Sequence, residues 1–355
     1  MRKFSLFLIF GIIAFIALAL FWPEKAYTPY KVSENYKSQA DAYNIPPMPA
    51  DWQWKRFPTS DGTTLRWGET GNRMTAETTL MIIPGYTATV SMYGEHIDLL
   101  AERGFHVIGL DLRGQGGSDR HFENQPEKLW VEDFSTYSAD VKEFVNSQNF
   151  PNTQNIIPLA ISFGGHVALR TAGEYPDVFD ALALLAPAIE PKAGDMEFDK
   201  ALGLMNTMRK IGKASRYVPG NTHWVPAGED YSVAGIELCS SNPNRLYLRD
   251  AIFTREPAQR VGGVTNQWGA EFFESSEFIR QGGFMEAIDL PIYIASAEQD
   301  DFVVTETNHK VCDQNLPNCQ YVMYEGTGHC LPQESDAVIN AMFDEIEKLA
   351  EAIEN

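Results

Sequence analysis

Ser162, Asp300 and His329 occur in this order along the chain, each at or just beyond the end of an apolar run. A serine hydroxyl attacks a carbonyl only when a base takes its proton, and an imidazole held by a carboxylate is such a base. These three residue types therefore point to nucleophilic acyl transfer. Ser162 stands in "IPLAISFGGHVAL", Ile157 to Leu169, where a buried-looking strand stops on the serine and two glycines follow Phe163. The frame Ala160-Ile161-Ser162-Phe163-Gly164 is close to the G-x-S-x-G of a nucleophile elbow. Small residues at its two ends let strand and helix approach closely, and alanine is the next smallest after glycine. Ala160 and Gly164 are thus expected to support the turn.

Asp300 closes "PIYIASAEQD", and His329 lies in "YEGTGHC", beyond the strand-like "QYVMYEG". Serine, then acid, then histidine is the chain order of one hydrolase architecture. Asp301 is adjacent and leaves the register of the acid open. The tetrahedral intermediate also needs donors for its oxyanion. The expected donors are the backbone N–H of Phe163 and that of Tyr86, in "IIPGYTA", where Gly85 permits a tight turn. The bland reading of that segment is an ordinary proline-glycine turn. His106 reads as a packed strand residue, and His96, His121, His223 and His309 as surface or cap residues. His166 follows Ser162 too closely to fit the order. Cys330 reads as a small packing residue. No H-E-x-x-H and no zinc-spaced Cys/His cluster occurs, so neither a metal nor a cofactor is expected. "LRGQGGSD", Leu112 to Asp119, is glycine-rich but opens no helix and reads as a structural turn.

Positioning these residues requires alternating elements. "DWQWKRFPTSDGTTLRWGET" reads as two strands joined by a turn, and "TTLMIIPGY", "FHVIGLDLRG", "NIIPLAIS" and "ALALLAPAI" as further strands. Helical spacing separates them, as in "VEDFSTYSADVKEFVNS". Residues 190–285 interrupt the rhythm with helical patches, after which strands resume and an amphipathic helix closes the chain. This alternation predicts an α/β protein: a mostly parallel sheet with helices on both faces and a helical cap, or lid, over one end. The core is expected over 51–189 and 286–355. The cap set Leu202, Leu204, Met205, Met208 and Ile211 fits either an acyl pocket or plain core.

The chain has 355 residues and a net charge of -20, which disfavours nucleic acid and electrostatic docking on anionic lipid. Arg2 and Lys3 precede an uncharged run, Phe4 to Trp22, which as a helix would be roughly 28 Å long, near the hydrocarbon thickness of a bilayer. No convincing cleavage site follows, so an uncleaved signal anchor over 1–22 is favoured above a cleaved signal. Residues 23–50 read as a tether. Cys312 and Cys319 bracket "VCDQNLPNC" and fit a disulfide in an oxidising compartment. Together these features predict a catalytic domain in the periplasm or its equivalent, on the inner membrane of a bacterium.

The ordered residues, with "RGFHVIGLDLRGQGGSDR", "VEDFSTYSADVKEFV", "RYVPG" and "SSNPNRLYLRDAIFTREPAQRVGGVTNQW", resemble the α/β-hydrolase superfamily. The likeness is greatest to the bacterial lysophospholipase and monoacylglycerol lipase branch, grouped with serine aminopeptidase-like hydrolases, and covers roughly residues 52–350. It implies an eight-stranded sheet, the triad Ser162, Asp300 and His329, the donors Tyr86 and Phe163, and no cofactor. Ala160 and Pro84 depart from the branch, which usually has glycine and histidine there. The expected activity is hydrolysis of a carboxylic ester through an acyl-enzyme, with a lysophospholipid or monoacylglycerol as substrate. The rivals are an aminopeptidase or amidase on the same triad, and a non-catalytic binding module of the same fold. Protein partners are unknown.

Overall fold

The computed structural model describes residues 24, 26–151, 154–227, 239–242 and 245–354. The apolar run Phe4 to Trp22 lies outside them. Among the described residues no helix is long and apolar enough to cross a membrane.

The chain opens with α1 (Glu34–Ala42), β1 (Gln53–Pro58), β2 (Thr64–Thr70), β3 (Thr78–Ile83), α2 (Gly94–Glu102) and β4 (His106–Leu110). It continues with α3 (Ser135–Ser147), β5 (Asn155–Ile161), α4 (Phe163–Glu174) and β6 (Leu182–Leu185). Three helices follow: α5 (Phe198–Lys210), α6 (Leu248–Arg255) and α7 (Asn266–Ile279). The last elements are β7 (Ile292–Gln299), α8 (Thr305–Gln314), β8 (Cys319–Gly328) and α9 (Asp336–Glu354).

All eight strands form one sheet in the order β1-β2-β4-β3-β5-β6-β7-β8. β2 runs antiparallel to both β1 and β4, and every other neighbouring pair is parallel. This is the expected α/β architecture, with an antiparallel edge. Strands covered on both faces read as continuous apolar runs, and β3, "TTLMII", is buried throughout. Its side chains nevertheless divide by the two-residue period of a strand. Met81 and Ile83 join Tyr137, Val141, Phe144 and Val167 of α3 and α4 on one face. Leu80 and Ile82 join Ile97, Leu100, Met342 and Phe343 of α2 and α9 on the other.

Between β6 and β7 the described residues add no strand to the sheet. Of the helices there, α7 packs on the core: its Trp268 and Phe272 belong to the same apolar cluster as Phe134 and Phe163. Met205 is buried and Leu202 packs beside it, against Ala270 and Phe273, so these two serve as core between α5 and α7. Ile211 is exposed.

The stretch read as a tether is also packed. Ser33 caps α1 by accepting the N–H of Tyr36. The Tyr36 hydroxyl donates to Asp250 at 2.9 Å, and Tyr27 donates to Glu127 at 2.7 Å. Lys128 pairs with Glu24 at 2.6 Å. A tyrosine- and lysine-rich sequence suggests a solvated strand of chain, but here Tyr36 is buried and both Tyr27 and Tyr36 find carboxylate partners, while Tyr30 stays exposed.

Candidate active site

β5 ends on Ile161, and Ser162 turns the chain into α4 with φ 52° and ψ -115°. Positive φ is costly for a residue with a side chain, and such strain persists only where the surroundings enforce it. Here the Ser162 N–H donates to the Leu185 carbonyl, while the Ser162 carbonyl accepts from His166 and Ala188. The close approach is visible at Gly164, where an added Cβ would lie 2.3 Å from the Ile83 carbonyl oxygen. Ala160 fits without difficulty, fully buried and paired in register with Ile83.

The structure brings Ser162, His329 and Asp300 together. His329 Nε2 lies 2.8 Å from Ser162 Oγ. Its Nδ1 lies 2.7 Å from Asp300 Oδ2. A carboxylate only accepts, so Nδ1 carries the proton and donates to Asp300, leaving Nε2 to accept the serine O–H. Oδ1 of Asp300 accepts the N–H groups of Phe302 and Val303, which fixes the carboxylate in its loop. Asp300 is buried, whereas Asp301 is exposed, and this settles which of the two faces the imidazole.

The β3–α2 loop closes the site from another side. A Cβ on Gly85 would meet Ser162 Cβ at 3.2 Å, so Gly85 lies hard against Ser162. The Tyr86 ring stacks on Trp268, and its hydroxyl donates to the Gly262 carbonyl at 2.6 Å. Burial pushes that phenol well above its ordinary pKa. Phe163 is the first residue of α4, so its N–H has no acceptor within the helix.

Two histidines differ from expectation or refine it. His96 is buried, not a surface residue: it contacts the Pro332 carbonyl at 2.7 Å, and burial lowers its pKa to about 4. His166 is packed behind the elbow, between the Ala188 carbonyl and Ser275, with its pKa lowered by burial to about 3. Both are neutral core residues. Cys330 is likewise not a simple packing residue, because it forms a disulfide with Cys239. Cys312 and Cys319 pair as expected, and no cysteine remains free. An even cysteine count was the one signal pointing to a second bridge. Nothing in the sequence singled out Phe302, whose half-exposed ring lies 5.0 Å from the His329 ring. Among the described residues no cluster suited to a metal ion occurs.

A serine, histidine and aspartate hydrogen-bonded in series, with the serine on a strand-to-helix turn, is the arrangement of a nucleophile elbow and its triad. The family model described as serine aminopeptidase, S33, matches residues 75–336. Lysophospholipase L2 of Escherichia coli strain K12 is 26% identical over 66% of this chain and 67% of its own length. A probable 1-acylglycerol-3-phosphate O-acyltransferase of Oryza sativa is 34% identical, but over 31% of this chain and 25% of its own length. The chain thus spans only a quarter of that relative. A solved structure of a soluble variant of monoglyceride lipase from Saccharomyces cerevisiae superposes with a TM-score of 0.65 at 16% identity, covering 88% of this chain and 99% of the other. At that identity the likeness establishes the fold. The chain belongs to the serine aminopeptidase S33 family and is a serine hydrolase of the α/β-hydrolase fold.

Proposed function

We propose that this serine hydrolase cleaves carboxylic esters of lipids, with lysophospholipids or monoacylglycerols as substrates. The observation that carries the reading is the unbroken hydrogen-bond chain from Ser162 Oγ through the His329 ring to Asp300. Its similarity to lysophospholipase L2 over two thirds of the chain supports a lipid ester over other acyl substrates.

In this reading Ser162 Oγ attacks the ester carbonyl while His329 Nε2 takes the hydroxyl proton. The carbonyl oxygen becomes an oxyanion held by the N–H groups of Tyr86 and Phe163. Collapse breaks the bond to the leaving alkoxide, which receives the proton from His329, and an acyl-enzyme remains. Water then attacks with His329 as base, and the acid departs as Ser162 regains its proton. Asp300 keeps the imidazole in the required tautomer and stabilises its charged form.

The protein is proposed to sit at the inner membrane of a bacterium, held by Phe4 to Trp22, with the hydrolase in the periplasm. The uncharged run of that segment supports the anchor. Two disulfides, Cys239–Cys330 and Cys312–Cys319, support the oxidising compartment.

The test is a turnover panel of lysophosphatidylcholine, monoacylglycerols, short p-nitrophenyl esters and aminoacyl amides. Highest kcat/KM on the lipid esters is expected. Preference for the amides would replace the esterase reading with a peptidase one.

A further inference from the structure

The glycine-rich turn "RGQGGSD" does more than end a strand. Gly114 and Gly116 have φ of 79° and 50°, and between them the Gln115 side chain turns inward, only 1% exposed. The loop winds around the Asp111 carboxylate. That carboxylate accepts the N–H groups of Val90 at 2.8 Å and Gly117 at 2.9 Å, and pairs with Arg66. At Gly116 no side chain could fit, because a Cβ would lie 2.2 Å from Asp111 Cγ.

What this rigid turn presents is the carboxamide of Gln115. Its Nε2 donates to the Gly85 carbonyl at 3.2 Å, and its Oε1 accepts the Thr87 N–H at 2.8 Å. The amide cannot be flipped, since a carbonyl only accepts and an N–H only donates. These contacts bracket Tyr86. The Gly85 carbonyl and the Tyr86 N–H belong to one planar trans peptide unit, in which they point in opposite directions. The Gly85 carbonyl accepts both this side-chain donor and the Ala88 N–H at 3.2 Å, and together they fix where the Tyr86 N–H points. Thr87 sits at φ 57°, an unusual conformation for threonine, and its N–H is the one held by Gln115.

We infer that Gln115 is a positioning residue for the oxyanion hole: it holds the peptide plane that aims the Tyr86 N–H at the developing oxyanion. This rests on the serine-esterase reading above. Gln115 does not touch substrate. Its donated hydrogen bond also polarises the Gly85–Tyr86 peptide, making the Tyr86 N–H a better donor.

The experiment compares wild type with Gln115→Met, which keeps the volume and removes both contacts. Hydrolysis of p-nitrophenyl butyrate is followed together with binding of a trifluoromethyl ketone, whose serine adduct carries the oxyanion. Losing an oxyanion donor outright costs about 100- to 1,000-fold in kcat, so misaiming one should cost about 10- to 100-fold. KM should stay near the wild-type value, and ketone affinity should fall by the same factor as kcat. Wild-type kcat in the variant, or a loss confined to KM, overturns the assignment. If Gln115→Met does not fold, Gln115→Asn asks the same question, since its amide is too short to reach Gly85 and Thr87 together. Wild-type kcat in that variant, or failure of both variants to fold, also overturns it. A wild type that is inactive on every ester and unreactive with fluorophosphonate overturns the esterase reading itself, and the role of Gln115 with it.

Discussion

Asp300 Oδ2 lies 2.7 Å from His329 Nδ1, while the neighbouring Asp301 is exposed to solvent. The two residues share a charge and differ by one position, so substitution separates them cleanly. Asp300→Asn should lower kcat by about 10⁴-fold, because the amide no longer selects the tautomer that leaves Nε2 free. Asp301→Asn should leave kcat near wild type. Steady-state kinetics on a p-nitrophenyl ester decide the matter, and a reversed pattern would move the acid to Asp301.

The elbow makes an unequal demand on its two small residues. A Cβ at Gly164 would meet the carbonyl oxygens of Ile83 at 2.3 Å and Pro84 at 2.7 Å. Backbone oxygens cannot swing aside as a side chain can. Gly164→Ala should therefore destabilise the fold by about 1–3 kcal/mol or more. Ala160→Gly should cost only about 0.5–1 kcal/mol, the usual penalty for glycine inside a strand, and leave kcat near wild type. Urea unfolding of both variants checks this.

The two disulfides should also differ in what they do. Cys239–Cys330 spans 91 residues and ends on the neighbour of His329. Around it, Ser240 Oγ donates to the Gln333 carbonyl at 2.8 Å, and Glu334 accepts from both Gly328 and Ser241. Cys312–Cys319 closes a separation of only 7, away from the triad. In the chain-entropy model the long bridge contributes about 4–5 kcal/mol and the short one about 2–3 kcal/mol. Paired serine substitutions at Cys239 and Cys330 should lower both the urea midpoint and kcat. The same change at Cys312 and Cys319 should lower the midpoint less and spare kcat.

Much of this site was legible in the chain because it is carried by local patterns. An apolar run, a serine and small residues at fixed offsets define the elbow without any distant information, and Ser162, Gly164 and Ala160 lie where that pattern places them. The acid was less determinate, since Asp300 and Asp301 are indistinguishable until β7 ends and the N–H groups of Phe302 and Val303 select one carboxylate. The pairing of Cys330 with Cys239 was invisible for a different reason: it joins the His329 loop to a segment between β6 and β7 that lies 91 residues away in the chain, and local pattern does not show which distant segment packs there. His96 misled because its polarity suggests a surface, whereas the Pro332 carbonyl supplies the partner that lets it be buried. Gln115 was hidden in a glycine-rich turn whose purpose depends on what it faces.

The most direct measurement is covalent labelling of the purified protein with a fluorophosphonate, alongside Ser162→Ala. Rapid stoichiometric labelling of the wild type, absent in a folded Ser162→Ala protein that also lacks turnover, is the predicted result. Labelling or turnover that persists in Ser162→Ala, or a folded wild type that never labels, would contradict the assignment of Ser162 as the activated nucleophile.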